Sequence, residues 1–304
     1  MTTDLDDLNQ TGRLRLAIQK SGRLADDTFD LLRRCGLAVS ASKNRLYARV
    51  KELPIDILLV RDDDIPTLVA GGASDVGIVG GNVFEEERAA GRLKDDVPLV
   101  VPLGFSRCRL CIALPKEHDY RGPEDFAGRR IATSYPALTE AWLRENGVSS
   151  ARTVIMNGAH EIAPRLGVAD AICDIVSTGG TLDANGLRVA ETIYRSEALL
   201  IGGRLDEDPE KARTAEALKL RIEGVQRSRD AKYVMLNAPR SAIDRIAAVL
   251  PAADKPTVLE LAGESDKVAV HTVCTEEVVW EHLEELRGLG ASGILVLDID
   301  KMLA

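Results

Sequence analysis

No apolar run in the 304-residue chain approaches the roughly 20 residues that a membrane helix needs. Basic residues are outnumbered, 39 Lys and Arg against 48 Asp and Glu, and the formal net charge of -9 argues against a nucleic-acid scaffold or a basic membrane-surface protein. Cysteine is scarce and odd in number: the five residues fit reduced thiols in a cytoplasm better than a disulfide framework. The opening MTTDLDDLNQTG lacks the basic and apolar regions of a signal peptide, which also points to a cytoplasmic protein. There is no GxxxxGKS or GxxxxGKT, excluding a P-loop nucleotide site, and no GxGxxG to support a Rossmann dinucleotide site. Cys108 and Cys111 form a lone CxxC with no second pair or nearby His to complete a zinc set. In a strand their side chains point to opposite faces, so a structural role is expected. His118, His160, His271 and His282 have no ligand spacing, and no Ser/His/Asp arrangement declares itself.

What is present is a hydrophobic share of 45%, ample for a sizeable core, in a length that suits two or three domains. Apolar runs at Leu14–Ile18, Ile55–Val60, Val76–Val79, Leu110–Leu114 and Ala171–Val176 alternate with helical patterns at Leu24–Cys35, Ile65–Ala70 and Ala137–Glu145. This alternation predicts an α/β fold with largely parallel strands. Two internal echoes suggest a pair of similar lobes around a cleft. Residues 13–37 and 129–148 both read strand, polar loop, helix, then a terminating glycine, Gly36 and Gly147. Residues 73–82 and 168–181 both place an Asp before an apolar strand and two adjacent glycines after it. From about residue 225 the order becomes β-α-β-β-α-β, that of a small ferredoxin-like domain, reached through a charged loop and connecting helix over 204–221. Thr275 reads as the cap of its second helix, and Trp142 and Trp280 occupy core-like helical positions.

The sharpest chemical signal is the run Asp170 to Thr181, DAICDIVSTGGT. A buried strand leads through an acid into a small-residue loop and then a helix. Small residues let backbone N–H groups approach a phosphate, and the hydroxyls of Ser177, Thr178 and Thr181 add donors. Asp174 is a suitable acceptor for ribose hydroxyls, so the run reads as a sugar-phosphate site. Lys20-Ser21-Gly22-Arg23, between a strand and a helix, also suits an anion. Arg61-Asp62-Asp63-Asp64 either caps the following helix or holds a magnesium ion, and capping is the better reading. Arg45 reads on its own as a surface residue.

In combination, IQKSGRL, PIDILLVRDDDIPTLV, DVGIVGGN, RIATSYP, HEIAPRLGVADAICDIVSTGGTLDANGL and the ferredoxin-like unit resemble long-form ATP phosphoribosyltransferases, which begin histidine biosynthesis. The resemblance extends over nearly the whole chain. It implies a two-lobed catalytic part similar to type II periplasmic binding proteins, with lobe I over 1–107 and about 184–225 and lobe II over 108–183. A regulatory domain over 226–304 would follow. It implies transfer of the ribosyl group of 5-phosphoribosyl 1-diphosphate (PRPP) to N1 of ATP, with loss of diphosphate and Mg²⁺ brought on PRPP rather than held in a dedicated cage. Histidine is implied as feedback inhibitor, AMP as a further candidate inhibitor, and a homo-oligomer of dimers and hexamers as the assembly. Carried over by position, Arg23, Arg45 and Asp174 are catalytic candidates. Glu161, Asp170, Asp174, Ser177, Thr178, Gly179, Gly180 and Thr181 would meet PRPP. Lys20, Ser21, Gly22, Arg61, Asp75 and Tyr135 would meet ATP, and Leu261, Ala262, Asp266, Val270 and Thr272 histidine. Two other readings fit the residues without the resemblance: a cytoplasmic two-lobed small-molecule sensor, and a phosphoribosyltransferase acting on another base.

Overall fold

The computed structural model describes residues 12–39, 46–93, 97–205, 208–250 and 255–302. The chain divides into two units, Met1–Ala217 and Leu218–Ala304. In the first unit the elements β1 (Leu14–Gln19), α1 (Arg23–Arg34), β2 (Tyr47–Arg49), β3 (Ile55–Val60), α2 (Ile65–Ala70), β4 (Val76–Gly80), α3 (Gly81–Ala89) and β5 (Leu99–Pro102) come first. The chain then forms β6 (Cys108–Pro115), β7 (Arg130–Thr133), α4 (Pro136–Glu145), β8 (Arg152–Ile155), β9 (Ala171–Val176), α5 (Gly180–Ala184) and β10 (Leu187–Ser196), and returns through β11 (Ala198–Gly202). One sheet has the order β2-β3-β1-β4-β11-β5, the other β10-β6-β9-β7-β8.

Both sheets are mixed, where largely parallel strands were expected. β1 runs parallel to β3 and β4, and β7 to β8 and β9. The remaining pairs are antiparallel. The reversal follows from the crossing between sheets. β6 carries the chain away from the crossing and β10 brings it back, so the two neighbours oppose each other. β10 therefore belongs to the second sheet, and the return to the first falls between Ser196 and Ala198 rather than near residue 184.

The internal echoes acquire physical content. Helix α1 buries Leu24, Ala25, Thr28, Leu31 and Leu32, one stripe of a 3.6-residue period. It ends with Gly36 at φ +73° and a bond from Leu37 N–H to Leu32 O of 2.9 Å. Helix α4 ends the same way, with Gly147 at φ +77° and Val148 N–H to Leu143 O at 2.8 Å. Both are Schellman closures, in which glycine takes the left-handed position and the next residue, Leu37 or Val148, is buried. The second echo is a pair of matching clamps at strand starts. Asp75 accepts from Arg15 N–H at 2.7 Å and returns its own N–H to Arg15 O at 3.0 Å. Asp170 accepts from Arg130 N–H at 2.9 Å and returns its N–H to Arg130 O at 2.8 Å. In each case the arginine side chain also faces the carboxylate, at 3.5 Å and 3.0 Å.

Helix α6 (Pro209–Ser228) crosses the division between the units. The second unit contains β12 (Ala231–Pro239), α7 (Ile243–Val249), β13 (Thr257–Glu260), β14 (Lys267–Thr275), α8 (Glu276–Gly288) and β15 (Ser292–Asp298), the βαββαβ order of a ferredoxin-like domain. Its antiparallel sheet, ordered β13-β14-β12-β15, packs Val234, Leu236, Val268 and Val270 against Ile246, Val279 and Leu286 of the helices. Thr275 holds the expected N-cap position of α8 but makes no side-chain cap bond. Trp280, expected in the core, is 68% exposed, because α8 turns its Val279–Leu286 stripe to the sheet instead.

Helix α2 lies so close to β4 that a Cβ added at Gly77 would sit 2.5 Å from Ile65 Cγ2 and 3.2 Å from Val69 Cγ2. Gly77→Ala is expected to cost about 1–3 kcal/mol by overpacking, read as a lower denaturation midpoint.

Candidate functional site

A cleft of about 860 Å³ opens in the first unit where both sheets end. It is lined by residues at the C-terminal ends of β1, β3, β4 and β9, the start of β6, the first turns of α1 and α3, and the residue before α4. Open α/β sheets bind ligands at such ends, because the strands stop there and loops with free backbone groups begin. Gln19, Lys20, Ser21 and Arg23 come from the β1–α1 loop. Arg61 and Asp62–Asp64 follow β3, and Asn82 follows β4. Tyr135 precedes α4, Cys108 opens β6, and Ile175 and Ser177 close β9. A smaller adjoining hollow of about 440 Å³ shares Cys108 and Ser177 and is lined by Arg107, Arg109 and Arg195. Arg109 and Arg195 are register partners on β6 and β10, so cross-strand pairing concentrates positive charge beside the β9 loop.

Two contacts tie the sheets across this cleft. The Glu86 carboxylate on α3 accepts from Ala137 N–H and Leu138 N–H, both at 2.9 Å, and so caps α4 from the other lobe. Burial holds its pKa above the ordinary glutamate value despite those donors. Asn82 donates from Nδ2 to the Tyr135 hydroxyl at 2.8 Å. Its backbone N–H donates to Ser196 Oγ, which in turn donates to Asn82 Oδ1. Burial pushes the Tyr135 phenol well above its usual range, so it stays protonated.

Asp62 begins a 3-10 turn, Asp62–Asp64, and Asp64 stands at the N-cap of α2 without a side-chain cap bond. Asp62 turns inward, accepts from Gly80 N–H, and is raised to about 6 by burial, with neighbouring Asp63 adding to the rise. Its Oδ1 and the Oε1 of Gln19 are buried polar atoms without a partner, both in the cleft lining. Among the described residues no group of three or more His, Cys, Asp or Glu side chains is placed to hold a metal. None of their helices is long and apolar enough to cross a membrane.

The family model for ATP phosphoribosyltransferase matches residues 61–224, and that for the HisG C-terminal domain matches residues 228–301. The chain belongs to the ATP phosphoribosyltransferase family. As a member it is a pentosyltransferase of histidine biosynthesis. Among solved structures it is similar to the ATP phosphoribosyl transferase (HisG:HisZ) complex from Thermotoga maritima, 27% identical with a TM-score of 0.56, covering 69% of this chain and 98% of that one. Weaker likenesses include the arginine-bound truncated ArgBP of T. maritima, 14% identical over 70% of this chain and 98% of that one, TM-score 0.42. Another is the alkanesulfonate-binding protein SsuA of Xanthomonas axonopodis pv. citri, 17% identical over 79% and 80%, TM-score 0.43.

In this ATP phosphoribosyltransferase fold, Lys20, Ser21, Arg23, Arg61, Tyr135 and Ser177 share the cleft lining, with Gly22 in the same loop. Thr178, Gly179, Gly180 and Thr181 continue from Ser177 into α5, with Gly179 left-handed at φ +89°. Asp174 lies near the end of β9, on the opposite face from Ile175. Glu161 sits in a short 3-10 turn, His160–Ile162, whose first residue touches Asp174. Asp75 and Asp170 are not part of this group. They sit at strand starts as the Arg15 and Arg130 clamps, the opposite end from the cleft, and Asp75 also holds Lys211 at 3.0 Å. Arg45 lies outside the described residues. In the second unit the histidine candidates differ in exposure. Val270 is buried in the core and Thr272 keeps a buried hydroxyl without a partner, whereas Ala262 and Asp266 are exposed and Leu261 half-buried.

Asn82, Glu86 and His160 were not singled out from the sequence. Only the polar residue directly after Gly80-Gly81 hinted at Asn82, since small residues at a strand end admit close contacts.

A raised carboxyl favours folding only while protonated: that contribution is whole below the unfolded value near 4 and is lost as pH rises through about 6. Asp62→Asn is therefore expected to match the parent in stability near pH 3.5. It should exceed it by about 1–3 kcal/mol above pH 7, checked by denaturant unfolding across pH.

Proposed function

We propose that this enzyme joins N1 of the adenine of ATP to C1 of the ribose of PRPP, with inversion and departure of diphosphate. The observation that carries the reading is the cleft itself, where the cationic Lys20–Arg23 loop and Arg61 share one lining with Ser177, in a member of this family. Adenine N1 is already nucleophilic, and the ribose carbon becomes oxocarbenium-like as diphosphate leaves. Such a reaction needs positioning and stabilisation of leaving-group charge rather than a nucleophilic His or Cys.

In this proposal the Ser177–Thr181 loop receives the 5-phosphate of PRPP through backbone N–H groups and hydroxyls. Asp174 accepts from the ribose hydroxyls, and Glu161 serves the same side. Arg23, with Arg45, meets the diphosphate. Lys20, Ser21, Gly22 and Tyr135 line the nucleotide side, and Arg61 reaches toward ATP, including that of a neighbouring subunit. Asp75 and Asp170 take no part. Mg²⁺ enters here as part of the PRPP substrate, largely hydrated. The second unit is assigned to histidine feedback, AMP is a further inhibitor, and the working assembly is a homo-oligomer, dimer or hexamer, in the cytoplasm.

Turnover is checked by the near-ultraviolet absorbance of phosphoribosylated adenine, with ATP, PRPP, Mg²⁺ and pyrophosphatase, with and without histidine. A signal that needs both substrates and is suppressed by histidine is expected. A signal insensitive to histidine would remove the regulatory assignment. PRPP binding without a signal would point to another acceptor base. Asp174→Asn should lower kcat/KM for PRPP about 100-fold, since charge-assisted hydrogen bonds to the sugar are lost.

A further inference from the structure

The imidazole of His160 is buried, at 3% exposure, and is aimed inward by a tight turn in which Gly158 has φ +104° and Ala159 φ +53°. A left-handed alanine is a strained backbone, and the strain is held where the histidine is positioned. Nε2 lies 3.0 Å from Met156 O, and Nδ1 lies 3.0 Å from Asp174 Oδ2. A carbonyl oxygen only accepts, so Nε2 carries a proton. An ionised carboxylate also only accepts, so Nδ1 carries one too. The other Asp174 oxygen, Oδ1, accepts from Ile175 N–H at 2.7 Å. Both oxygens of the carboxylate are thus oriented from the protein side, leaving their remaining lone pairs for a ligand.

We propose that His160 is a positioning residue whose Nδ1–H fixes the direction of Asp174, so that PRPP capture depends on a hydrogen-bond donor at that place. This rests on the reading that Asp174 meets the ribose. The ionisable groups that bear on His160 are Asp174 from β9 and Glu161 from its own turn, both acidic. The segment after β8 supplies the Met156 carbonyl. The Asp174 hydrogen bond comes first among the causes that raise the His160 pKa above the ordinary histidine value, and burial opposes it. Above that pKa the neutral imidazole keeps its Nδ1 proton on the charged Asp174 acceptor and gives up the one that faces the neutral Met156 carbonyl, so the Asp174 bond is retained.

The test measures kcat/KM for PRPP against pH in the full-length enzyme, with kcat/KM for ATP as reference. His160→Val should lower the PRPP value about 10- to 100-fold at neutral pH. His160→Asn, whose amide N–H can occupy the Nδ1 position, should recover much of the loss. Added to Asp174→Asn, the valine substitution should cost nothing more, because both act through one carboxylate. The proposal is overturned if His160→Asn is as impaired as His160→Val, or if the two substitutions combine additively. An impaired Asp174→Asn beside an unimpaired His160→Val sinks the proposal alone. An unimpaired Asp174→Asn sinks the ribose reading and the proposal with it. A thermal midpoint lowered with no change in either kinetic profile would assign His160 to folding and also overturn it.

Discussion

The buried carboxylate of Glu86, shared by two backbone N–H groups of α4, is the contact on which the geometry of the cleft most depends. It sits on α3 of one sheet and caps a helix of the other. A buried carboxylate is costly to desolvate, and charge-assisted bonds of about 1.5–3 kcal/mol each offset that cost only when both are made. The arrangement therefore tolerates little movement of α3 against α4 without leaving a charge unpaired. Tyr135, at the cap position of α4, is brought to Asn82 by the same contact. Asn82 is in turn held by Ser196 at the point where the chain crosses back. Four residues thus couple the crossing, the two helices and one wall of the cleft.

The acids of the first unit sort by strand end. Asp75 and Asp170 stand before β4 and β9 and neutralise arginines there, fixing the starts of adjacent strands. Asp174 stands four residues beyond Asp170, about 13 Å along an extended strand, at the end where loops and ligands belong. Two carboxylates so close in sequence serve different purposes because a strand carries them to opposite edges of its sheet. The short run that reads as one motif spans both a structural clamp and the cleft.

Much of the fold was legible in the residues. The apolar runs located β1, β3, β4, β6 and β9 within two residues but not β5, β8, β10 or β11, and Gly36 and Gly147 marked helix ends where a left-handed residue closes the turn. The order of elements after α6 was enough for the ferredoxin-like unit, since βαββαβ leaves few ways to pair four strands. Strand direction was not legible, because hydrophobic pattern carries no sign along the chain. Hence β10 escaped from the second lobe and the sheets proved mixed. Trp280 misled for a related reason: a helical stripe shows which residues align, not which stripe faces the sheet.

By itself the sequence determined the alternation of elements, the glycine closures, the small-residue loop at Ser177–Thr181 and, through these together, the family. Each is a local or ordered property, encoded by spacing and by the conformations that residue types allow. Tertiary structure alone decided which loops meet. It brought Lys20, Arg61, Tyr135 and Ser177, spread over more than 150 residues of sequence, to one lining, and left Asp75 and Asp170 on the far edge. It also set His160 against Asp174 and Glu86 against α4. Such pairings depend on burial and on the register of sheets, which arise only when distant segments close on each other and water is excluded between them.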